Sequence, residues 1–274
     1  MDAHELLKLA DHGPDTFVGR GPQYPWGGLY GGQIVAQALR AAAATVDGSL
    51  LPHSLRAYFI RRGDHEEPVR YEVDRIRNGR TFCTRRVVAR QAIGAILNLE
   101  ASFKLPEPSN DIQTIPAPLD MPPPDGLLSD SWSTVFDRRT IPARHLPDEA
   151  RTGAGRVAAW MRATEPLGDD PLLHSCTLAY LSDDLPTDAV VRSHPVVSDP
   201  GFDRDSSLFS ASLDHTIWFH RPFRADEWHL YEFTCHDFVG GRGLTIGHVF
   251  TAHGHMVATV AQEVLMRDRR DLDR

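Results

Sequence analysis

The chain has 274 residues, of which 24% are charged and 41% are hydrophobic, and this composition is typical of a globular protein with a sizeable core. The 29 Lys and Arg residues are outnumbered by 37 Asp and Glu residues, and the resulting net charge of −8 argues against a general nucleic-acid-binding protein, which normally carries a basic surface. No apolar run approaches the roughly 18 residues of a membrane-spanning helix, so no membrane span is expected.

The first residues and the cysteines bear on the location of the protein. Residues 1–15 contain acidic side chains and lack the apolar core of a signal peptide, so we expect a cytoplasmic protein. Cys83, Cys176 and Cys235 are too few and too widely spaced for a disulfide framework, which agrees with a reducing compartment.

The N-terminal half starts with a helix that must be buried. Residues 27–46, GGLYGGQIVAQALRAAAATV, begin with glycines and continue with side chains that are small or apolar on nearly every helical face. Strand-like runs follow, and Asn78-Gly79 between two of them is a strong hairpin signal. The predicted strands are residues 53–61, 69–77, 81–91 and 95–104, with a further short strand near Phe17.

A proline-rich segment separates the two halves. Residues 105–125 contain seven prolines, which remove backbone donors and fix φ, so this stretch cannot continue a helix or a central strand. We predict a linker over residues 105–129 between an N-terminal unit, residues 1–104, and a C-terminal unit, residues 130–274. Residues 142–153 are polar and irregular, and we predict a surface loop there.

The C-terminal half repeats the pattern of the first. Residues 170–183 predict a second apolar helix, with Asp170 as its N-cap. The predicted strands are residues 208–220, 228–237, 244–251 and 256–267, with a further short strand near residues 157–162.

Matching segments indicate an internal duplication. Ser54-Leu55 recurs as Ser212-Leu213, and residues 58–61 align with residues 218–221, at a nearly constant separation along the chain. Because a helix that is apolar on all sides needs a sheet curled around it, we predict an α+β double hot-dog fold. Each repeat then has a central helix wrapped by an antiparallel sheet, and the two sheets join. The alternative is a pair of coincidentally similar α+β domains.

Common catalytic and cofactor motifs are missing from the chain. There is no G-x-S-x-G elbow and no Walker loop. Gly31-Gly32 precede a helix without the strand and the acid of a dinucleotide fingerprint, so they favour a close-packed helix start. His248, His253 and His255 lack the short paired spacing of zinc ligands, so we expect neither a metal nor a cofactor.

A polar residue interrupts the apolar face of the last predicted strand. Gln262 shares this face with Val260 and Val264, and it takes the place that Leu99 has in the first repeat. A buried amide costs about 1–3 kcal/mol unless its hydrogen bonds are satisfied. A polar group must therefore meet Gln262.

Asp183 and Ser212 are further polar residues in predicted core elements. Asp183 closes the second helix, where the negative end of the helix dipole disfavours a carboxylate. That field, the neighbouring Asp184 and any burial would raise the pKa of Asp183, which suits a general base. Ser212 is predicted to share a strand face with Asp214 and Thr216, and Asp214 is the alternative base. The structural interpretation is that both helix-end acids are solvated and that Ser212 only packs.

An ordered series of segments covers both halves of the chain. It consists of residues 27–39 (GGLYGGQIVAQAL), 53–64 (HSLRAYFIRRGD), 77–91 (RNGRTFCTRRVVARQ), 100–104 (EASFK), 178–183 (LAYLSD), 212–223 (SLDHTIWFHRPF), 241–243 (GRG) and 260–267 (VAQEVLMR). In these segments the chain resembles the acyl-CoA thioesterase II family of double hot-dog enzymes. The resemblance implies that Asp183, Ser212 and Gln262 form a catalytic network, and that a water activated by this network hydrolyses fatty acyl-CoA to free fatty acid and CoA.

The resemblance also raises the question of how CoA is bound. CoA carries several negative charges while the protein is net acidic, so binding requires a local basic patch. Arg61-Arg62 and Arg85-Arg86 are candidates, and Arg61 and Arg86 are the predicted binding residues. An ordinary solvated strand face is the alternative interpretation of these arginines.

Two further expectations concern substrate contact and assembly. Gly31 and Gly32 are predicted to contact the substrate, because a backbone N–H near the glycine-rich helix start could stabilise the thioester oxyanion. Hot-dog units usually associate further, so we expect a homodimer or a homotetramer.

Two other functions remain open. A hot-dog enoyl-CoA hydratase would need an Asp/His pair in a GD-x-N-P-x-H type segment, which the chain lacks. A non-catalytic acyl-CoA-binding protein would keep the fold and lose one of the three polar residues, and all three are present.

Overall fold

The protein is built around one large antiparallel sheet. The computed structural model describes residues 1–118, 120–146, 155–198 and 202–269, and within these ranges thirteen strands belong to this sheet. In chain order the strands are β1 (Ala10–Asp11), β2 (Thr16–Gly19), β3 (Leu51–Phe59), β4 (Val69–Asn78), β5 (Phe82–Gln91), β6 (Gly94–Lys104), β7 (Phe136–Thr140), β8 (Arg156–Ala163), β9 (Leu208–Ser212), β10 (Asp214–Phe219), β11 (His229–Val239), β12 (Arg242–Thr251) and β13 (Met256–Asp268). The α-helices are α1 (Ala3–Leu6), α2 (Gly31–Ala43), α3 (Pro171–Leu181), α4 (Pro186–Ser193) and α5 (Arg204–Ser207).

The strand order shows how the two halves are joined. It runs β1-β2-β4-β5-β6-β3 through the N-terminal half and continues β10-β13-β12-β11-β8-β7 through the C-terminal half, while β9 pairs with β13 beside this path. At the centre β3 and β10 are antiparallel neighbours, with Leu55 opposite Ile217. Outward from this seam, the two halves follow the same succession of strands. The predicted α+β double hot-dog fold, with two sheets joined into one, is confirmed.

The central helices α2 and α3 pack against each other and against the sheet. Residues 173–181 of α3 are all buried, and so are residues 32–39 of α2. This explains why both sequences are small or apolar on every helical face. The buried Gln37 of α2 accepts a hydrogen bond from the Tyr71 hydroxyl at 2.7 Å. As predicted, Asp170 caps α3, and its side chain accepts a hydrogen bond from Leu172 N–H.

Several local details differ from the sequence-based prediction. α2 begins at Gly31 rather than at Gly27, because Gly27 has a φ of 69°, in the left-handed region that glycine tolerates and a right-handed helix excludes. No helix was predicted at α4, whose Val190 packs so closely on β12 that a Cβ at Gly243 would lie 2.4 Å from it. Strand β7 was not predicted either. The short strands predicted near Phe17 and near residues 157–162 are confirmed as β2 and β8.

The proline-rich segment lies against the C-terminal half of the sheet. Ala158 and Trp160 of β8 belong to an apolar cluster on the outer face of the sheet, which we define as the face opposite α2 and α3. Met121 packs against this cluster, and Trp160 Nε1 donates to the Pro122 carbonyl at 2.8 Å. The linker therefore covers one outer face of the sheet as well as connecting the halves. The unit boundaries at residues 104 and 129 stay a prediction.

The predicted surface loop at residues 142–153 falls partly outside the described residues, since residues 147–153 are not among them. Residues 143–145 form a single 3-10 turn. The flanking side chains of Ile141 and Leu146 are buried in the outer-face cluster, so the beginning of this segment is anchored.

Candidate active site

Asp183 lies where the end of α3 meets the start of α2. Ser182 is the C-cap of α3, and Asp183 follows it with only 7% of its surface exposed. Gly32 N–H donates to Asp183 Oδ2 at 2.7 Å. A Cβ at Gly31 would lie 2.6 Å from the same oxygen, so only glycine permits this approach. The start of α2 therefore binds the carboxylate of the other repeat with a backbone donor and with the positive end of its dipole.

The environment of Asp183 makes its carboxylate easier to protonate than that of an exposed aspartate. Burial raises the pKa of Asp183 to about 7, against the opposing effects of the Gly32 N–H and of the nearby Gln262 amide, and the charge of Asp184 adds to the increase. Within the described part of the chain, Asp183 Oδ1 is buried and makes no hydrogen bond. This oxygen is free to accept a proton from a bound molecule.

The neighbouring Asp184 has a different environment, although it is buried too. Its Oδ1 accepts a hydrogen bond from Trp132 Nε1 at 2.5 Å, and its Oδ2 lies 2.8 Å from Arg138 Nη1. Burial raises the pKa of Asp184 and the Arg138 guanidinium opposes that increase. Asp184 is thus held in an ion pair, whereas Asp183 has no cationic partner among the described residues.

Gln262 meets the polar partners that its burial requires. The residue lies on β13 with no exposed surface. Its Nε2 donates to Ser212 Oγ at 2.8 Å, and its Oε1 lies 2.5 Å from His215 Nδ1. The structure therefore brings Ser212, Gln262 and Asp183 into one neighbourhood, since the Gln262 amide also lies close enough to lower the pKa of Asp183.

A β-bulge positions Ser212. The pairing of β13 sets Val264 opposite Ser212 and Ala261 opposite Thr216, so residues 213–215 face only two residues of β13. The extra residue exchanges the two faces of the strand, and Ser212 points to the same side as the buried His215. The prediction that Ser212 shares a face with Asp214 and Thr216 is therefore wrong, because it assumed one uninterrupted strand.

Asp214, the alternative base, makes its contacts at the β-bulge. Its Oδ1 accepts a hydrogen bond from Glu263 N–H at 2.8 Å. Its other oxygen lies 3.9 Å from Arg56 Nη2, a side chain that is 60% exposed on the outer face. Asp214 thus stabilises the irregular pairing of β10 with β13.

The arginines expected near CoA are dispersed. Arg86 lies on the outer face of β5, with its Nη2 2.5 Å from Asp74, whereas its neighbour Arg85 is buried on the inner face. Arg61 Nη1 donates to the Ala95 carbonyl at 2.8 Å. These contacts give no sign of a shared patch around Arg61 and Arg86.

Arg62 is the arginine that the fold brings to the glycine-rich loop before α2. Its Nη2 donates to the Trp26 carbonyl at 2.7 Å, and a Cβ at Gly28 would lie 2.5 Å from its Nε. The side chain is exposed. Arg61 and Arg62 are adjacent in the sequence, and nothing in the local pattern indicates which of the two faces this loop.

An aromatic cluster beside the two acids was not expected from the sequence. Its members are Tyr24, Trp26, Tyr30, Trp132, Phe136 and Tyr180, and neighbouring ring centroids lie 5.0–6.1 Å apart. The Tyr30 hydroxyl donates to the Tyr180 carbonyl at 2.9 Å. Burial, followed by the charges of Asp183 and Asp184, raises the pKa of Tyr30 well above its usual value. The cluster packs aromatic rings beside the two acids, and its members are too scattered along the chain to form a motif.

The described ranges contain neither a membrane-spanning helix nor a cluster of metal ligands. None of the helices there has the length and apolarity needed to cross a membrane. No group of three or more His, Cys, Asp or Glu side chains in those ranges is arranged to hold a metal ion.

Comparison with known proteins agrees with the fold. The model of the acyl-CoA thioesterase N-terminal domain matches residues 21–104, and the model of the C-terminal domain matches residues 113–266. The chain is 35% identical to acyl-coenzyme A thioesterase 8 of Mus musculus, over 96% of this chain and 88% of that protein.

Solved structures extend the comparison. The crystal structure of the acyl-CoA thioesterase II TesB2 from Mycobacterium marinum is 36% identical, with a TM-score of 0.84 over 97% of each chain. A hot-dog protein of unknown function from Alicyclobacillus acidocaldarius is 21% identical, with a TM-score of 0.78 over 97% of each chain, and supports the fold alone. Both halves match family models, and a relative above 30% identity spans nearly the whole chain, so the chain belongs to the acyl-CoA thioesterase II family.

Proposed function

We propose that this protein hydrolyses fatty acyl-CoA to free fatty acid and CoA, with Asp183 as general base and with Ser212 and Gln262 holding the attacking water. Family membership makes the protein a thioester hydrolase. The observation that best supports the mechanism is the Asp183 carboxylate, whose Oδ2 is bound by Gly32 N–H while its Oδ1 makes no hydrogen bond to the described residues. One oxygen of the buried carboxylate is held by a hydrogen bond, and the other can accept a proton from a single oriented water.

The chemical steps follow from this arrangement. Water bound between Asp183 Oδ1 and the Ser212 hydroxyl gives a proton to the carboxylate while its oxygen attacks the thioester carbonyl carbon. The tetrahedral intermediate then collapses, the C–S bond breaks, and the proton passes from Asp183 to the departing thiolate. The products are the fatty acid and CoA, and the ionised carboxylate is restored. A base with a pKa of about 7 is well matched to both proton transfers near neutral pH.

The start of α2 is the proposed site for the thioester oxygen. Gly32 N–H already binds the base, so its contribution is to orient Asp183. We assign the oxyanion to the other backbone N–H groups in the first turn of α2, beginning with that of Gly31. A backbone donor at a helix N-terminus is preorganised and supported by the helix dipole, which suits a developing negative charge.

The CoA phosphates require a cationic contact near this loop. Arg62 is exposed and fixed to the Trp26 carbonyl, so we propose it as a phosphate contact. Arg61 and Arg86 stay predictions.

Hydrolysis assays test the mechanism most directly. Thiol release should be measured across acyl-CoA chain lengths for the wild type, Asp183→Asn and Asp214→Asn. Asp183→Asn keeps the shape and removes the base, so kcat should fall by roughly 10²–10⁴. Asp214→Asn is the matched control and should retain most of the activity in folded protein. Full activity of Asp183→Asn beside an inactive Asp214→Asn would overturn the assignment, and binding of acyl-CoA without turnover by the wild type would favour a non-catalytic binding protein.

Assembly and location stay predictions as well. Light scattering at micromolar concentration should give a homodimer or a homotetramer, and a particle of 30.5 kDa would contradict this expectation. A cytoplasmic location would be tested by cell fractionation.

A further inference from the structure

His215 is a buried residue that the proposed reaction does not yet use. It lies on β10, next to the bulge, with no exposed surface. Its Nδ1 is 2.5 Å from Gln262 Oε1, and its Nε2 is 2.9 Å from Ser182 Oγ. Ser182 is the residue immediately before Asp183. The imidazole therefore bridges the helix end that carries the base and the strand that carries the amide.

We propose that His215 is a positioning residue, which fixes the orientation of the Gln262 amide so that its N–H groups face Ser212 and Asp183. The inference rests on the proposed function, because it concerns how the amide that holds the water is kept in place. His215 itself touches neither the water nor the substrate in this proposal.

The two ends of the Gln262 amide need different partners. A carbonyl oxygen only accepts hydrogen bonds, so Gln262 Oε1 requires a donor from His215 Nδ1. The imidazole is neutral, because burial lowers its pKa to about 4. A neutral ring with a proton on Nδ1 has an acceptor at Nε2, and the Ser182 hydroxyl can donate to it.

The donors then run in one direction. With the ring protonated at Nδ1, His215 donates to Gln262 and Gln262 donates to Ser212. The Ser182 hydroxyl lies 2.9 Å from His215 Nε2 and 3.2 Å from the Ala179 carbonyl, and in this tautomer it donates to the nearer acceptor, His215. In the opposite tautomer, Nδ1 would be an acceptor and would favour an amide rotated by half a turn. The rotated amide would present its oxygen to the Asp183 carboxylate, and two acceptors would then face each other.

The bulge explains why one residue can hold the amide in this way. Residues 213–215 lie opposite only two residues of β13, one of which is Gln262. Ser212 precedes the bulge and His215 closes it, so the two side chains reach the amide from its two sides. A regular strand would place residues 212 and 215 on opposite faces.

Two isosteric variants separate the roles of the two ring nitrogens. In His215→Asn the side-chain N–H₂ takes the place of Nδ1, so the donor to Gln262 is kept. In His215→Gln the side-chain N–H₂ takes the place of Nε2, so the contact with Ser182 is kept and the donor to Gln262 is lost. We expect kcat of His215→Asn to stay within about threefold of the wild type. For His215→Gln we expect kcat to fall by roughly 10–10²-fold with KM changed less, because misplaced groups lose rate more than binding.

A double variant shows whether His215 acts through Gln262. On the Gln262→Ala background, His215→Gln should cause no further loss of kcat, since residues that act as a unit are non-additive. A similar kcat for the two His215 variants, or an undiminished effect of His215→Gln on that background, overturns the positioning role. Full activity of Gln262→Ala alone is the separate outcome that refutes the proposed water-holding network itself.

The tautomer can also be measured in the wild-type protein. In ¹⁵N-histidine-labelled protein at pH 7, the His215 signals, identified by their loss in the variants, should show a neutral ring protonated at Nδ1. A ring protonated at Nε2 alone would contradict the inference, whatever the variants do.

Discussion

The two repeats treat the ends of their central helices in opposite ways. After α2, the buried guanidinium of Arg85 donates to the Thr45 carbonyl at 2.9 Å and to Asn78 Oδ1 at 2.7 Å, so a cation meets the negative end of the helix. After α3, the buried carboxylate of Asp183 stands at the same kind of helix end, without a cationic partner among the described residues. The dipole of α2 favours the cation at its end, whereas the dipole of α3 disfavours the carboxylate at its end, and the start of α2 offsets that effect only in part. The comparison teaches that one repeat is arranged for stability, while the other keeps an unfavourable charge where the proposed chemistry needs it.

The largest expected loss of stability comes from removing the guanidinium at the end of α2. Arg85→Met leaves the Thr45 and Arg77 carbonyls and the Asn78 amide without their buried donor, so the free energy of unfolding should fall by about 3 kcal/mol. Urea denaturation at pH 7 measures this. The matched control is Arg86→Met, whose exposed ion pair with Asp74 should change stability by less than about 1 kcal/mol. Equal losses in the two variants would contradict the comparison, and kcat of folded Arg85→Met should stay unchanged.

At the end of α3, removing the charge of Asp183 is expected to raise the free energy of unfolding. An aspartate has a pKa near 4 in the unfolded chain, and that of Asp183 is about 7 in the folded protein, so the folded state binds the proton more tightly. The resulting stability is present below about pH 4 and is lost as the pH rises to 7. Asp183→Asn abolishes this loss and should raise the free energy of unfolding by about 2–4 kcal/mol at pH 8, and by less at pH 5. Destabilisation at pH 8 would count against a strained carboxylate.

Activity should depend on the same ionisation. Because the base must be ionised, kcat/KM of the wild type should be level above pH 7 and fall about tenfold per pH unit below it. Stopped assays between pH 5 and 9 give this profile, and the residual activity of Asp183→Asn should lack the step at pH 7. A step near pH 4, or an identical profile in the variant, would assign the titration to another group.

The smallest effect concerns CoA binding, which should depend on the N-terminal repeat. Arg62→Glu should raise KM several-fold with a smaller change in kcat, and added salt should weaken binding to the wild type, because exposed charges are screened. Arg86→Glu on the outer face is the control. A larger KM increase in the Arg86 variant would place the nucleotide on that face instead.

The features that could be predicted from the sequence are those with a local physical signal in the pattern of residues. A helix that is apolar on all faces must be buried, so α2, α3 and the sheet around them could be predicted from the local sequence pattern. The requirement for polar partners of Gln262 followed from the cost of a buried amide. The bulge could not be predicted from the sequence, because one inserted residue leaves no trace in composition. It nevertheless reverses which side chains share a face of the strand.

Other features depended on tertiary contact alone. The distinct environments of Arg85 and Arg86 follow strand alternation, but the carbonyl partners of Arg85 come from a distant helix end. Similarly, the sequence showed two adjacent acids, and only the positions of Trp132 and Arg138 distinguish Asp184 from Asp183.

The hydrogen bond from Gly32 to Asp183 crosses from one repeat to the other, so the proposed base of one repeat depends on a backbone donor of the other. An assembly of two identical subunits would have to place the same residue at both copies of every position. Joining the copies in one chain removes that constraint, so Leu99 can remain an apolar core residue while the strand of the other copy carries Gln262. Each repeat can then accept a substitution that would abolish activity or folding if the other repeat had to carry the same substitution.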